Sequence, residues 1–386
     1  MNGWREMTLE ELTINHDAQR VPVKETERKS GIYPYYGASG IVDHVDRYIL
    51  DGEYLLIAED GENLRTQKTP IAFLARGKFW VNNHAHVVTA NAHADTRFLM
   101  YALNNGDISG FLTGSTMPKL TQGNMNRIPI LTPPLPEQRA IASVLGALDD
   151  KIELNRRMNE TLEALAQTLF KSWFVDATAN GLPKGWREAP LPELIEVNPP
   201  RRLRTGEVAP YLDMANMPTR SARALEVYAR EFGAGMRFAD GDTLVARITP
   251  CLENGKTCFV DFLGEGKIGW GSTEYIVLHP APPLSAEFAY FLARTDEFRG
   301  FAISNMTGTS GRQRVPADCL NDFTVAVPPA ELAQRFGQSA KAVFAKMKGN
   351  DAEARTLAGL RDALLPKLLS GELRVPASLG TQEAKT

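Results

Sequence analysis

Two long stretches of helical pattern, matched to each other without a gap, constrain this chain more than any other feature. The first, PLPEQRAIASVLGALDDKIELNRRMNETLEALAQTLFKSWF, runs from Pro134 to Phe174. Its apolar Ile141, Val144, Leu145, Leu148, Ile152, Leu162, Leu165, Leu169 and Trp173 fall mostly at steps of three, four and seven, one stripe on a helix. Pro136 suits the opening turn, where its missing N–H costs nothing, and Glu137 suits the positive end of the helix dipole. At about 1.5 Å per residue the element is roughly 55 Å long, more than a small domain across, so it must act as a spacer with a partner of similar length. The partner spans 330–370. At a constant offset of 195, Lys151 falls on Lys346, Ile152 on Met347, Asn155 on Asn350, Leu162 on Leu357, Leu165 on Leu360, Leu169 on Leu364 and Trp173 on Leu368. Asn155 and Asn159 thin the stripe, and buried Asn on a packing seam fixes register. Gly349 and Gly359 make the second helix the poorer one, Pro366 predicts a kink, and Gly371 a stop.

The rest of the chain repeats as well. GWREMTLEEL from Gly3 is echoed by GWREAPLPEL from Gly185, and DGEYLLIA from Asp51 by DGDTLVAR from Asp240. Trp80 answers Trp270, Phe98 answers Phe288, TGST at Thr113 answers TGTS at Thr307, and Pro133-Pro134 answers Pro328-Pro329. So many landmarks in one order mean a duplication. Short β-branched runs (YLLIAED, IAFLARG, HAHVVTA; TLVARI, TCFVDF, EYIVLH) predict strands, and ADTRFLMYALNN and SAEFAYFLARTDEFRGF predict short helices. The expected fold is α+β: two small mixed α/β domains joined by two long antiparallel helices in a coiled coil, with a pseudo-two-fold repeat. The boundaries are a first domain 1–133, first long helix 134–175, linker 176–185, second domain 186–329, second long helix 330–375 and a loose tail 376–386. Such a body reads two sites a fixed distance apart, as dimeric DNA readers do at about 34–36 Å or a multiple of it.

No run of eighteen apolar residues exists, and the N-terminus has neither a signal nor a transit pattern, so no membrane association and a cytoplasmic location are expected. Three cysteines without C-x-x-C pairing predict neither a disulfide framework nor a zinc site. The net charge of −3 gives no bulk support to a nucleic-acid partner. The basic clusters PPRRLRTGE and SGRQR stand against that background and allow a local groove of one sign.

The long-helix sequence LPEQRAIA…LDDKIELN, the tail LLPKLLSGELRV, the paired GW starts and the TGS loops resemble the specificity subunits of type I restriction–modification systems, from about Gly3 to Val375. The second helix departs, reading PPAELAQRF where the family signature has PEQ. The resemblance implies target-recognition domains that each read one half of a bipartite double-stranded DNA target. It implies helices that set the unread gap and dock two adenine methyltransferase subunits, with restriction motor subunits joining the assembly. It further implies a chain with no catalysis and no cofactor of its own, S-adenosylmethionine belonging to the methyltransferase subunits.

Two other classes stand beside this one. A stand-alone methylase would use NPPR at Asn198, where Arg201 replaces the stacking aromatic, and FGAG from Phe232 to Gly235; a nuclease would use Glu253 and Lys256 with Asp240 or Asp242. No phosphate loop of the G-x-x-x-x-G-K-[ST] type occurs. His84 and His86 alternate as metal ligands would, with no third ligand near in sequence. A scaffold that joins proteins without touching DNA has no need for two divergent domains. The DNA contacts are expected on loops where Arg, Lys, Ser, Thr and Asn cluster near Gly, since these types serve phosphates and base edges. In the first domain these are Asn63, Arg65, Lys68, Thr113, Ser115, Thr116 and Lys119. In the second they are Arg201, Arg202, Arg204, Arg247, Thr249, Lys256, Thr307, Thr309, Ser310, Arg312 and Arg314.

Overall fold

The computed structural model describes residues 3–309 and 311–376; Ser310 and the expected tail beyond Pro376 lie outside the described residues. The long helices are Leu135–Phe170 and Ala330–Ser370. The first passes into a π-helical turn, Lys171–Val175. The second continues through Pro366, where the sequence predicts a kink, and stops at Gly371, whose φ of +74° suits glycine. Leu165 and Leu360, counted in the apolar stripes, are about half exposed at 53% and 48%.

The chain forms two compact units, and they are discontinuous. One comprises Met1–Glu153 with Ala354–Thr386, the other Leu154–Glu353. Each therefore owns a segment of both long helices, a division that the chain-order boundaries at 133 and 329 do not follow. The reason is packing. Ile141 and Leu145 of the first helix share a core with Leu368 of the second, while Phe170 shares one with Phe336 and Phe344.

The first unit contains β1 (Arg5–Thr8), β2 (Thr13–Asn15), β3 (Ser30–Gly37), β4 (Gly40–Val45), β5 (Leu50–Ala58), β6 (Ala72–Val81), β7 (Ala85–Ala90) and β8 (Pro129–Thr132). A six-stranded sheet runs β2-β7-β5-β6-β3-β4, and β1 pairs with β8 to join the two ends of the domain. Only β3 and β6 pair in parallel, with Tyr35 opposite Trp80. The helix Thr96–Asn105 is capped by Asp95, whose side chain accepts the N–H of Phe98, and buries Phe98, Leu99, Tyr101 and Leu103. In this unit the helix segments meet through Arg361 and Asp149 (2.7 Å).

The second unit contains β9 (Arg187–Pro190), β10 (Ile195–Val197), β11 (Val208–Leu212), β12 (Tyr228–Glu231), β13 (Met236–Ala239), β14 (Thr243–Ala246), β15 (Thr257–Phe259), β16 (Ile268–Gly271), β17 (Tyr275–Pro280) and β18 (Thr324–Val327). Two four-stranded sheets run β10-β17-β14-β15 and β12-β11-β16-β13, and β18 pairs with β9. Tyr211 of β11 stands opposite Trp270 of β16 in a parallel pair. The single short helix expected from SAEFAYFLARTDEFRGF is two, Ala286–Ala293 and Asp296–Ser304. Thr295 divides them: its backbone is extended, and its side chain caps the second by accepting the N–H of Phe298.

The asparagines of the seam are buried in this unit. Asn159 accepts from Nδ2 of Asn350 at 2.8 Å and donates to Asp351 at 2.7 Å, and Asn155 donates to Glu353 at 2.9 Å. Contacts of Asn155 with Asn350 and of Asn159 with Met347 show that the two segments run antiparallel here.

Glu163 is also buried, accepting the Tyr290 hydroxyl and the N–H of Ala222. Burial pushes its carboxyl above the ordinary value of 4.5, and those hydrogen bonds only partly oppose the shift. The native chain thus keeps this proton to higher pH than the unfolded chain. Stability present below the ordinary value is lost as pH rises through the folded one. Glu163→Gln should therefore gain on the parent between about pH 5 and about pH 8 in urea midpoint. A constant difference across that range would remove Glu163 from the linkage.

Candidate nucleic-acid interface

Each unit closes a Thr-Gly loop onto the end of a central strand by the same set of backbone hydrogen bonds. In the first unit Thr113 and Lys119 exchange N–H···O bonds of 2.8 and 2.7 Å, the N–H of Leu120 donates to Glu59 at 2.8 Å, and the N–H of Glu59 donates to His84 at 2.9 Å. In the second, Thr307 and Arg314 exchange two bonds of 2.9 Å, the N–H of Val315 donates to Arg247 at 2.8 Å, and that of Arg247 donates to Glu274 at 3.0 Å. Gly114 and Gly308 sit at φ +86° and +120°, and a Cβ on Gly114 would lie 2.2 Å from the Met117 carbonyl. The recurring Thr-Gly pair answers to that backbone requirement.

On this shared frame the side chains differ in charge. Glu59 in the first unit meets Arg20 and Lys119, the latter at 3.2 Å, while Asp60 meets His84 at 2.8 Å. Burial alone would raise the Glu59 carboxyl. The Arg20 hydrogen bond, His86 and Lys119 outweigh it and hold the carboxyl below its ordinary value. In the second unit the position of Glu59 belongs to Arg247, which with Arg314 faces a single carboxylate, Glu274 (3.9 and 2.8 Å).

Glu59 escapes a reading of the sequence through a slip of one residue. Matching DGEYLLIA to DGDTLVAR sets Ala58 against Arg247. In the ladders Ala58 faces Ala85 as Ala246 faces Tyr275, so Glu59 is the counterpart of Arg247. A one-residue slip reverses every side chain on a strand.

The other expected contacts divide into exposed and committed groups. Ser115, Thr116, Thr309 and Arg312 are exposed on the loops, as are Lys68, Arg202 and Arg204 elsewhere; Ser310 lies outside the described residues. Arg201 is turned inward, its Nη2 donating to both carboxylate oxygens of Asp242, which is fully buried. Lys256 donates to the carbonyl of Met214, Thr249 to Glu253 at 3.1 Å, and Arg65 pairs with Glu62 at 2.9 Å. Asn63 bonds both backbone groups of Thr69, closing its own turn. The partners of Arg201 and Lys256 lie in distant segments where no spacing reveals them, whereas Arg65 and Thr249 meet theirs three and four residues away.

The enzyme alternatives lose their residues in the same way. Asp242 is occupied by Arg201, Asp240 accepts the N–H groups of Leu263 and Gly264, and Lys256 is engaged elsewhere, so no metal-binding trio converges among these residues. Arg201 of NPPR, where a stacking aromatic would stand, is committed to Asp242. His86 is buried with Nδ1 on Asp17 (2.6 Å) and Nε2 on the Leu120 carbonyl (2.8 Å), which leaves no nitrogen to share with His84.

A family model described as "Type I restriction modification DNA specificity domain" matches residues 1–164. A putative type I restriction enzyme specificity subunit of Haemophilus influenzae is 43% identical over 144 residues, 36% of either chain, so this chain spans about a third of that relative's length. The MjaIX specificity subunit of Methanocaldococcus jannaschii is 24% identical across 83% of this chain and 79% of its own. The crystal structure of a type I S subunit from M. genitalium shares the fold, with a TM-score of 0.58 at 17% identity over 95% of this chain and 96% of that one. Residues 1–164 thus match the type I restriction modification DNA specificity domain.

Three of the words that carry the resemblance meet in the first unit. Trp4 of the first GW start donates to Glu137 of PEQ at 3.1 Å, and Arg374 of SGELRV pairs with the same carboxylate (2.8 Å) while lying over the Trp4 ring. Gln138 receives the N–H of Asp95 and donates to the carbonyls of His93 and Pro133. The PEQ signature thus ties the long helix to the start of the domain and to the far end of the second helix. Among the described residues no helix is long and apolar enough to cross a membrane.

Proposed function

We propose that this chain is the non-catalytic DNA-recognition subunit of a type I restriction–modification complex. Each unit reads one half of a bipartite double-stranded target, the long helices form a coiled coil that sets the unread gap, and two methyltransferase subunits dock on those helices. S-adenosylmethionine is held by those subunits, and restriction motor subunits join the complex in the cytoplasm. The observation that carries the reading is one backbone frame with two sets of side chains. A duplicated domain that keeps its loop closure while replacing Glu59 by Arg247 and His84 by Glu274 holds its geometry and changes what it can recognise. Two readers of different half-sites need that combination.

The test is to express the chain with its methyltransferase subunit in a methylation-free host and map N6-methyladenine across the genome. Methylation at two short defined halves around a fixed gap is the expected result. A stable complex that leaves no methylation would favour a scaffold, and methylation by the chain alone would revive the enzyme reading.

Within this reading Arg312 is exposed and meets no carboxylate among the described residues, whereas Lys119 shares Glu59 with Arg20. Arg312→Ala should lower the salt slope of DNA binding by about one unit, and Lys119→Ala by less, since part of its charge is already neutralised. Binding titrations between about 50 and 200 mM salt decide it. Unchanged slope and affinity in both variants would take the loops out of the interface.

A further inference from the structure

The sheet β12-β11-β16-β13 of the second unit carries a feature that the loop frame does not use. Its register sets Tyr228, Tyr211, Trp270 and Arg237 side by side across four strands, so all four share one face. Arg230, two residues beyond Tyr228 on β12, is on that face too, and Glu231 on the other. The guanidinium of Arg230 lies 4.7 Å from the Tyr211 ring and 5.5 Å from that of Trp270, and Arg237 lies 5.6 Å from Phe232, which itself packs on Trp270. The basic segment after Pro200 joins the same cluster. Leu203 packs against it, and Gly206 donates to the Phe232 carbonyl at 2.8 Å, with exposed Arg202 and Arg204 on either side of Leu203.

Among the described residues none of these four arginines forms an ion pair. The nearby carboxylates are otherwise placed: Glu207 accepts the backbone N–H of Arg204, and Asp213 the Tyr228 hydroxyl. An arginine whose flat face rests on aromatic rings loses rotamer freedom while its N–H edge stays free, which suits bidentate contact with a phosphate. The first unit has the same Tyr35–Trp80 parallel pair and the same stacking cations, but neutralised. Arg28, 4.5 Å from the Tyr35 ring, pairs with Asp43 at 3.3 Å, and Arg47, over Trp80, with Asp46 at 3.7 Å.

We propose that Arg202, Arg204, Arg230 and Arg237 form a phosphodiester-gripping surface on the second unit, distinct from the Thr307–Arg314 loop and without a counterpart of equal charge on the first. It rests on the DNA-recognition reading and assigns the backbone-holding part of that task to one unit. Interactions of this kind fix position on the duplex and carry no sequence information.

The test uses the full chain and a labelled random-sequence duplex, with affinity followed against salt for Arg230→Gln/Arg237→Gln, for Arg202→Gln/Arg204→Gln and for Arg28→Gln. Unfolding curves of each variant verify the fold. Each pair should lower the salt slope by about 1.8, or about 0.9 for each phosphate no longer neutralised, equally on random and target-bearing duplex, while Arg28→Gln leaves it unchanged. Folded variants that keep the parent slope overturn the proposal. If they keep the slope but no longer co-purify with the methyltransferase subunit, the surface is a protein interface and the proposal also fails. A folded parent chain that binds no duplex at any salt would sink the DNA-recognition reading itself, before any variant is measured.

Discussion

Asp242→Ala should lower the stability of this chain by about 3 kcal/mol, the lower end of what breaking a buried ion pair costs. The carboxylate is fully buried and accepts from Arg201, from the N–H of Ala239 at 2.7 Å and from His279 at 2.8 Å. Removing it strands the Arg201 guanidinium, whose Nε already has no partner, although a side chain 16% exposed can recover some water. Replacing both groups by apolar ones, Arg201→Met with Asp242→Leu, should regain most of the loss, because no charge is then left buried. Urea unfolding of the single and double variants measures this directly. The same pair tests a binding role: if Arg201 held a phosphate, the stable double variant would lose about one unit of salt slope. The expected change is none.

Phe336→Ala should be at least as costly, about 3–5 kcal/mol, because the ring is a hub that no neighbour can replace. It is 1% exposed, and its centroid lies 5.1 Å from Phe174, 5.4 Å from Phe170 and 5.7 Å from Phe291. These rings come from the first long helix, its π-helical turn and the helix Ala286–Ala293, so truncation opens a cavity where three elements converge. Leu360→Ala serves as the contrast. Both positions lie on the second long helix, but Leu360 is half exposed, and its loss should stay within about 0.5 kcal/mol. Equal destabilisation by the two would mean that Phe336 is not packed as described.

The contrast also separates what a periodic pattern carries from what packing adds. Steps of three and four mark both helices and place Ile141 and Leu145 correctly on a buried face, yet they include Leu165 and Leu360, which face water for about half their surface. A period reports which residues share a face; how much of that face is covered depends on what packs against it. The capping threonine at 295 is readable in principle, since T-D-E-F sets a cap before an acidic first turn. The apolar residues on either side continue one pattern and hide the break.

Local chemistry thus determined a good deal of this protein from its sequence alone: two long helices and their approximate ends, the central strands, the glycine turns of the two Thr-Gly loops, and the seam asparagines. Each of these depends on backbone conformation or periodicity within a few residues. The tertiary structure alone decided which charges remain free. Arg201 and Arg202 are neighbours in one basic run, but only Arg201 meets Asp242, 41 residues away, while Arg202 stays exposed. It alone also decided that Glu59 matches Arg247, because strand register is set by cross-strand pairing. An ion pair between distant segments depends on which groups folding brings within about 4 Å, and no spacing along the chain encodes that distance.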